Sequence, residues 1–207
     1  MTGKIVIVDY GMANLRSVQK AFEAVGAVAE MTSDPARIAA ADRLVLPGVG
    51  AFRDAIARLR ETGLDRIIPE FIATGKPFLG ICLGMQMLFT KSLEDGTHIG
   101  LDLFPGDVVR FPTRPGFKVP HMGWNELNFK KIECPLFAGL PERAHVYFVH
   151  GYYAVPCDAS LLAATADYPE PFCAAIWKDN VVATQFHPEK SQAVGLKMIE
   201  NFAKWNV

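Results

Sequence analysis

Two short segments of this sequence carry residue types suited to acyl transfer. In Gly80-Ile81-Cys82-Leu83-Gly84 a cysteine stands where an apolar strand, Pro77 to Ile81, gives way to a helical run, Met85 to Phe89. This is the spacing of a nucleophile elbow, in which small neighbours let a strand turn sharply into a helix. A thiol at such a helix start meets free backbone N–H groups and the positive end of the macrodipole, and both favour the nucleophilic thiolate. In Phe186-His187-Pro188-Glu189 an imidazole and a carboxylate lie two residues apart at the end of another apolar run. In extended backbone they face the same way, so Glu189 is placed to orient the His187 ring, while Pro188 restricts the chain between them.

Taken singly, these residues have plainer readings. Glycine and cysteine fill tight turns, a histidine can be satisfied near a strand end, and Glu189 suits the start of the last helix. Joined, Cys82, His187 and Glu189 supply nucleophile, base and orienter, with His187 taking the thiol proton and later returning it to a leaving amine. The tetrahedral intermediate also needs an oxyanion hole, and Pro47-Gly48-Val49-Gly50 offers small residues directly after a strand. The N–H groups of Val49, Gly50 and Leu83 are the candidate donors, so the orientation of this loop would switch activity. A redox-sensing thiol is a competing reading that needs Cys82 but not His187.

These segments need elements to hold them. The first third alternates strand and helix patterns: Lys4 to Asp9 as strand, and Leu15, Val18, Ala21, Phe22 and Val25 at helical spacing before Gly26. Then come Ala27 to Met31 as strand, Pro35 to Ala41 as a short helix, Arg43 to Leu46 as strand, and helices over Phe52 to Arg60 and Leu64 to Thr74. Such alternation implies right-handed crossovers and a parallel sheet covered on both faces, with reactive loops at the carboxyl ends of its strands. From Asp107 the pattern becomes β-rich: Asp107 to Phe111, Val146 to Val149, Ala163 to Ala166, and a hairpin of Cys173 to Trp177 with Val181 to Phe186 about Asp179-Asn180. Ser191 to Trp205 reads as a core-packing helix, and Phe111 to Gly116 as an exposed loop. The expected fold is a three-layer α/β sandwich with a mainly parallel central sheet and a mixed or antiparallel β extension, one domain over residues 1–207.

A net charge of −1 without a dense Lys/Arg cluster gives no electrostatic reason to expect nucleic acid or an anionic membrane as partner. The run Ile5 to Val8 is too short for a signal segment, and no apolar stretch reaches the roughly 18 residues of a membrane span. A soluble, cytoplasmic protein is expected. Cysteines 82, 134, 157 and 173 have neither CxxC nor metal-type spacing, so no metal or cofactor is expected.

The segments PGVGAF (47–52), GICLGMQ (80–86) and FHPEKS (186–191) resemble those of the class I, or triad, glutamine amidotransferases. Within that family DYGMANLRS (9–17), PHMGWN (120–125) and YFVH (147–150) look like the glutaminase subunits of imidazole glycerol phosphate synthases. The resemblance implies a flavodoxin-like sheet, L-glutamine as substrate, a γ-glutamyl thioester on Cys82, and ammonia passed to a (β/α)8-barrel cyclase subunit in a heterodimer serving histidine biosynthesis. It further implies that Gln86 contacts the glutamine, that Glu94 meets its α-ammonium, and that His150, Gly151 and Tyr152 surround its α-carboxylate. Asn14, Trp124 and Lys190 resemble positions facing the cyclase. Two residues depart from the pattern: Ala13 replaces a usual glycine, and Gly151 a usual serine or threonine. Glutaminases of other pathways share the triad, but the Met122-Gly123-Trp124-Asn125 segment argues against them. A non-catalytic regulatory subunit would not need Cys82, His187 and Glu189 intact.

Overall fold

The computed structural model describes residues 3–206. The first half builds β1 (Ile5–Val8), α1 (Leu15–Ala24), β2 (Ala29–Thr32), α2 (Pro35–Ala39), β3 (Arg43–Gly48), α3 (Phe52–Glu61), α4 (Leu64–Ala73), β4 (Phe78–Cys82) and α5 (Leu83–Gln86). The second half adds β5 (Phe89–Ser92), β6 (His98–Ile99), β7 (Phe104–Arg110), β8 (His121–Glu126), β9 (Asn128–Phe129), β10 (His145–His150), β11 (Tyr152–Pro156), β12 (Leu162–Asp167), β13 (Pro171–Lys178), β14 (Val181–Thr184) and α6 (Gln192–Lys204).

The main sheet runs in the order β2-β1-β3-β4-β14-β13-β12-β9, parallel from β2 through β14 and antiparallel beyond. The parallel half is a doubly wound, flavodoxin-like arrangement, in which β14 fills the fifth place. Side chains alternate between two cores: Ile5 and Ile7 pack with Val18, Phe22 and Phe202 on one face, Val6 and Val8 with Ile56, Leu59 and Phe71 on the other. Because both faces are covered, the central strands are continuously apolar, as parallel strands are. A four-stranded sheet, β11-β7-β5-β6, and the pair β10-β8 form the mixed extension. Among the described residues no helix is long and apolar enough to cross a membrane.

The differences from the sequence reading have local causes. The helix expected over Met85 to Phe89 is a single turn ending at Gln86, because Phe89 opens β5 and pairs with Phe104. With so short a helix the macrodipole argument for Cys82 weakens, leaving the unpaired N–H groups of the turn. Phe111 is not in an exposed loop. It is 3% exposed, its ring set against Tyr153, Phe172 and His150, and only the residues after it are exposed. Strand β2 starts two residues later than expected, and β5, β6, β8, β9 and β11 were not anticipated. The hairpin forms as expected, with Lys178 opposite Val181 and Asp179 at φ 51°.

The elbow between β4 and α5 depends on a missing side chain. A Cβ on Gly84 would lie 1.8 Å from the Leu46 carbonyl oxygen in β3. Gly84→Ala is therefore expected to destabilise the fold by about 3 kcal/mol through overpacking against backbone. Gly151→Ala, whose Cβ would make only a 3.5 Å contact with Val119, is expected to be nearly neutral. Urea denaturation of both variants checks this, and equal midpoints would contradict it.

Candidate active site

Three adjacent strands of the parallel sheet end at one place. β3 exits into Pro47–Gly50, β4 exits at Cys82, and β14 exits toward Gln185 and His187, with Gly48 paired opposite Cys82. Residues far apart in sequence meet because the sheet order makes their strands neighbours. Cys82 holds φ 55° and ψ −111°, a strained conformation for a side-chain-bearing residue that persists only when its surroundings enforce it. Gly48 lets that turn approach: a Cβ there would lie 2.8 Å from both the Leu83 Cβ and the Tyr10 hydroxyl.

Cys82, Leu83, Gln86, Val49, Gly50, Glu94, His150, Gly151, Tyr152, His187 and Lys190 line one cavity of about 310 Å³. Of the residues singled out from sequence, Glu189, Asn14 and Trp124 lie outside that lining. Glu189 stands behind His187, with Oε1 2.8 Å from Nδ1 and both side chains almost wholly buried. The contact does not arise from an extended i, i+2 pair as expected, because Glu189 lies in a 3-10 turn, Pro188–Lys190, that follows His187. With Nδ1 occupied by Glu189, Nε2 remains, and it has no hydrogen-bond partner among the described residues. Burial alone would lower the His187 pKa. The Cys82 sulfur, once ionised, and the Glu189 carboxylate outweigh burial and carry it up to about 10.

Ser191 fixes the turn that presents His187. Its hydroxyl donates to the His187 carbonyl at 2.6 Å and accepts the Tyr147 N–H of β10 at 3.0 Å, while the His187 N–H donates to the Tyr147 carbonyl. The neighbouring histidines behave oppositely to His187. Burial among aromatic rings pushes His121 down to about 4 and, with His121 and His187 nearby, His150 down to about 3. Tyr10, 2% exposed and without a hydrogen-bond partner for its hydroxyl among the described residues, lies under Gly48. Burial first and then Cys82 raise its pKa, so it stays a neutral phenol.

The expected oxyanion donors differ in readiness. Leu83 N–H, at the first position of α5, has no intrahelical acceptor. Val49 N–H is turned away, donating to the Met12 carbonyl at 3.4 Å, and Gly50 sits at φ 90°. Glu94 reaches from the loop after β5 to accept the Phe52 N–H at 2.7 Å, and no cation pairs with it among the described residues. Gln86 spends both amide N–H bonds internally, on the Tyr152 carbonyl and on Gln185 Oε1, each at 2.9 Å. Asn14 is exposed and lines a narrow cleft with His187 and Glu189, while Trp124 is 47% exposed and borders a groove with His145 and Ser191. Lys190 is exposed at the cavity itself.

Sequence reasoning missed Gln185, Ser191, Tyr10 and His121. For Gln185 a signal was present: it is a polar residue inside the otherwise apolar run Val181 to Phe186, and it is completely buried. A group like that must have hydrogen-bond partners.

A thiol, an imidazole and a carboxylate are thus gathered at the carboxyl edge of a doubly wound α/β sheet. The chain belongs to the class-I glutamine amidotransferase family, which matches residues 6–205. Among individual proteins it is 59% identical over 203 residues to the imidazole glycerol phosphate synthase subunit HisH of Syntrophotalea carbinolica, spanning 96% of this chain and 98% of that protein. It is 56% identical over 206 residues to the subunit of the same name from Geobacter sulfurreducens, spanning 97% and 98%. The solved structure of PurLQS from Thermotoga maritima shares the fold, with a TM-score of 0.77 over 98% of each chain at 19% identity.

The raised His187 pKa has a source that can be removed. In Cys82→Ala the positive shift owed to the sulfur disappears, so the His187 pKa is expected to fall from about 10 toward the ordinary imidazole value. Titration of the His187 ring by NMR reads this directly, and an unmoved pKa would show that Cys82 is not the cause.

Proposed function

We propose that this chain hydrolyses L-glutamine to glutamate and ammonia through a thioester on Cys82, and passes the ammonia to a separate cyclase subunit of imidazole glycerol phosphate synthase. The observation that carries the reading is the strained Cys82 elbow facing a cavity shared with His187, whose ring is held from behind by buried Glu189.

In this mechanism Cys82 Sγ gives its proton to His187 Nε2 and attacks the γ-amide carbon. The resulting oxyanion takes the Leu83 N–H. His187 then protonates the amide nitrogen, which leaves as ammonia, and afterwards draws a proton from water as it attacks the thioester, releasing glutamate and restoring the thiol. Glu189 stabilises the imidazolium and keeps Nδ1 protonated. Glu94 compensates the α-ammonium of the substrate. The His150-Gly151-Tyr152 backbone faces the α-carboxylate, and Gln86 shapes the wall between.

The second oxyanion donor has to be released. Val49 N–H serves the intermediate only after it leaves the Met12 carbonyl, and one such donor is worth on the order of a hundredfold in rate. Activity of the isolated chain is therefore low, and the partner raises it. Partner binding fits the exposed Val49 and Lys190 at the cavity and the exposed Asn14, Met122 and Trp124 outside it. The partner is a (β/α)8-barrel cyclase.

Ammonia release from glutamine is measured for wild type and Cys82→Ala, with and without a cyclase subunit and its ligand. Stimulated turnover in wild type and none in the variant is expected. Hydrolysis that the liganded cyclase does not stimulate would refute the partner, and hydrolysis unchanged in Cys82→Ala would refute the mechanism.

Gly151 provides a second check. A Cβ there fits beside Val119, so Gly151→Ser adds a hydroxyl to the cavity wall without clash. A KM for glutamine lowered about fivefold is expected, on the scale of one hydrogen bond. A KM that stays constant or rises would remove Gly151 from the α-carboxylate site.

A further inference from the structure

Two runs of polar groups meet at the Tyr152 carbonyl: one crosses the extension from Asn125 through two histidines, and the other leads through Gln86 and Gln185 to Cys82. Asn125 on β8 stands 3.5 Å from His121 Nε2, and His121 Nδ1 is 3.3 Å from His150 Nε2. His150 Nδ1 is 2.9 Å from the Tyr152 carbonyl, which also accepts from Gln86 Nε2. Gln86 Nε2 donates again to Gln185 Oε1, and Gln185 Nε2 is 3.6 Å from Cys82 Sγ.

The proton on every link follows from two fixed ends. At one end the Tyr152 carbonyl can only accept, so His150 Nδ1 carries hydrogen. At the other, Asn125 Oδ1 accepts the Glu126 N–H at 2.8 Å and its Nδ2 donates to the Asp167 carbonyl at 3.0 Å, so its amide orientation is set. An N–H then faces His121 Nε2, which must be bare, and the hydrogen of that ring sits on Nδ1, pointing at a bare His150 Nε2. Both derivations agree on two neutral Nδ1–H rings. The rings are clamped: His121 stacks on Tyr168 with centroids 4.0 Å apart and on Phe148 at 4.9 Å. The same logic orients Gln185, because its oxygen is taken by Gln86 and its amide N–H is left facing the sulfur.

We infer that Gln185 is a catalytic residue that donates a hydrogen bond to the Cys82 thiolate, held in the donating orientation by Gln86, whose own amide is set by the Tyr152 carbonyl. The inference rests on the reading of Cys82 as nucleophile and adds a third contact to it, beside His187 and the N–H groups of the elbow. A donor on the sulfur holds the side chain in one rotamer and favours the charged form, as hydrogen bonds to ionised groups do.

Two measurements test it, neither using glutamine. Gln185→Met preserves length and removes the donor. Alkylation of Cys82 by iodoacetamide at neutral pH, read on the Cys82 peptide by mass spectrometry so that exposed Cys157 does not contribute, is expected to slow about tenfold. An unchanged rate overturns the role of Gln185. In wild type, the side-chain amide resonances of Gln185 are expected to move when Cys82 is alkylated, and resonances that stay in place overturn the contact. Slowed alkylation in a protein that hydrolyses no glutamine would support the inference while sinking the proposed function, so the two fail separately.

Discussion

The site depends on one steric constraint: a buried parallel strand must become a helix within a single residue, directly against its neighbour strand. Cys82 can hold φ 55° only because nothing occupies the space on either side of the turn. Gly84 passes the Leu46 carbonyl at a distance no side chain tolerates, and Gly48 passes Leu83 and Tyr10. The core of β3, β4 and β14, buried on both faces, supplies the energy that holds the strained residue in place. Cys82 is thus aimed by packing, and the backbone N–H groups of the turn come with it.

Sheet order turns this local device into a complete site. The Pro47–Gly50 loop, the thiol and the imidazole lie on the exits of three strands that are adjacent in space, although β14 follows β4 by about a hundred residues. The intervening chain is not idle. It builds the extension whose strand β10 anchors the His187 turn through Ser191 and whose residues 149–152 form the far wall of the cavity.

What was legible in the sequence follows the same division. The parallel strands were readable because two-sided burial makes them continuous apolar runs, and the glycines and cysteine of the elbow because their spacing reflects a local turn. The extension was less so. β8 carries a buried histidine, an exposed methionine and a half-exposed tryptophan, a pattern without clean alternation, because His121 is satisfied by partners from other strands. Phe111 was assigned to a loop on the strength of the prolines after it, although its ring completes an aromatic cluster built from residues up to sixty positions away. Glu189 was found by an argument of alternation that the structure does not use. Gln185 was passed over because its meaning lies in Gln86 and Cys82, about a hundred residues distant, and such pairings exist only after folding.

The electrostatics of the site come down to keeping one proton in the right place. Three imidazoles lie within a few residues of the cavity, all buried, and burial alone would leave all three neutral. Only His187 faces both a carboxylate and the sulfur, and these carry its pKa to about 10, while His150 and His121, facing a carbonyl, an amide and each other, fall to about 3 and 4. Similar groups thus sit at widely separated pKa values: His187 favours the charged ring, while His150 and His121 stay neutral with one hydrogen each. The neutral pair cannot draw the proton from His187, and one of its fixed hydrogens goes to the Tyr152 carbonyl that Gln86 also meets. A protonated His150 would point an N–H at the Nδ1–H of His121 and break the hydrogen bond between the rings, so the low pKa of the pair keeps this side of the cavity wall in one arrangement.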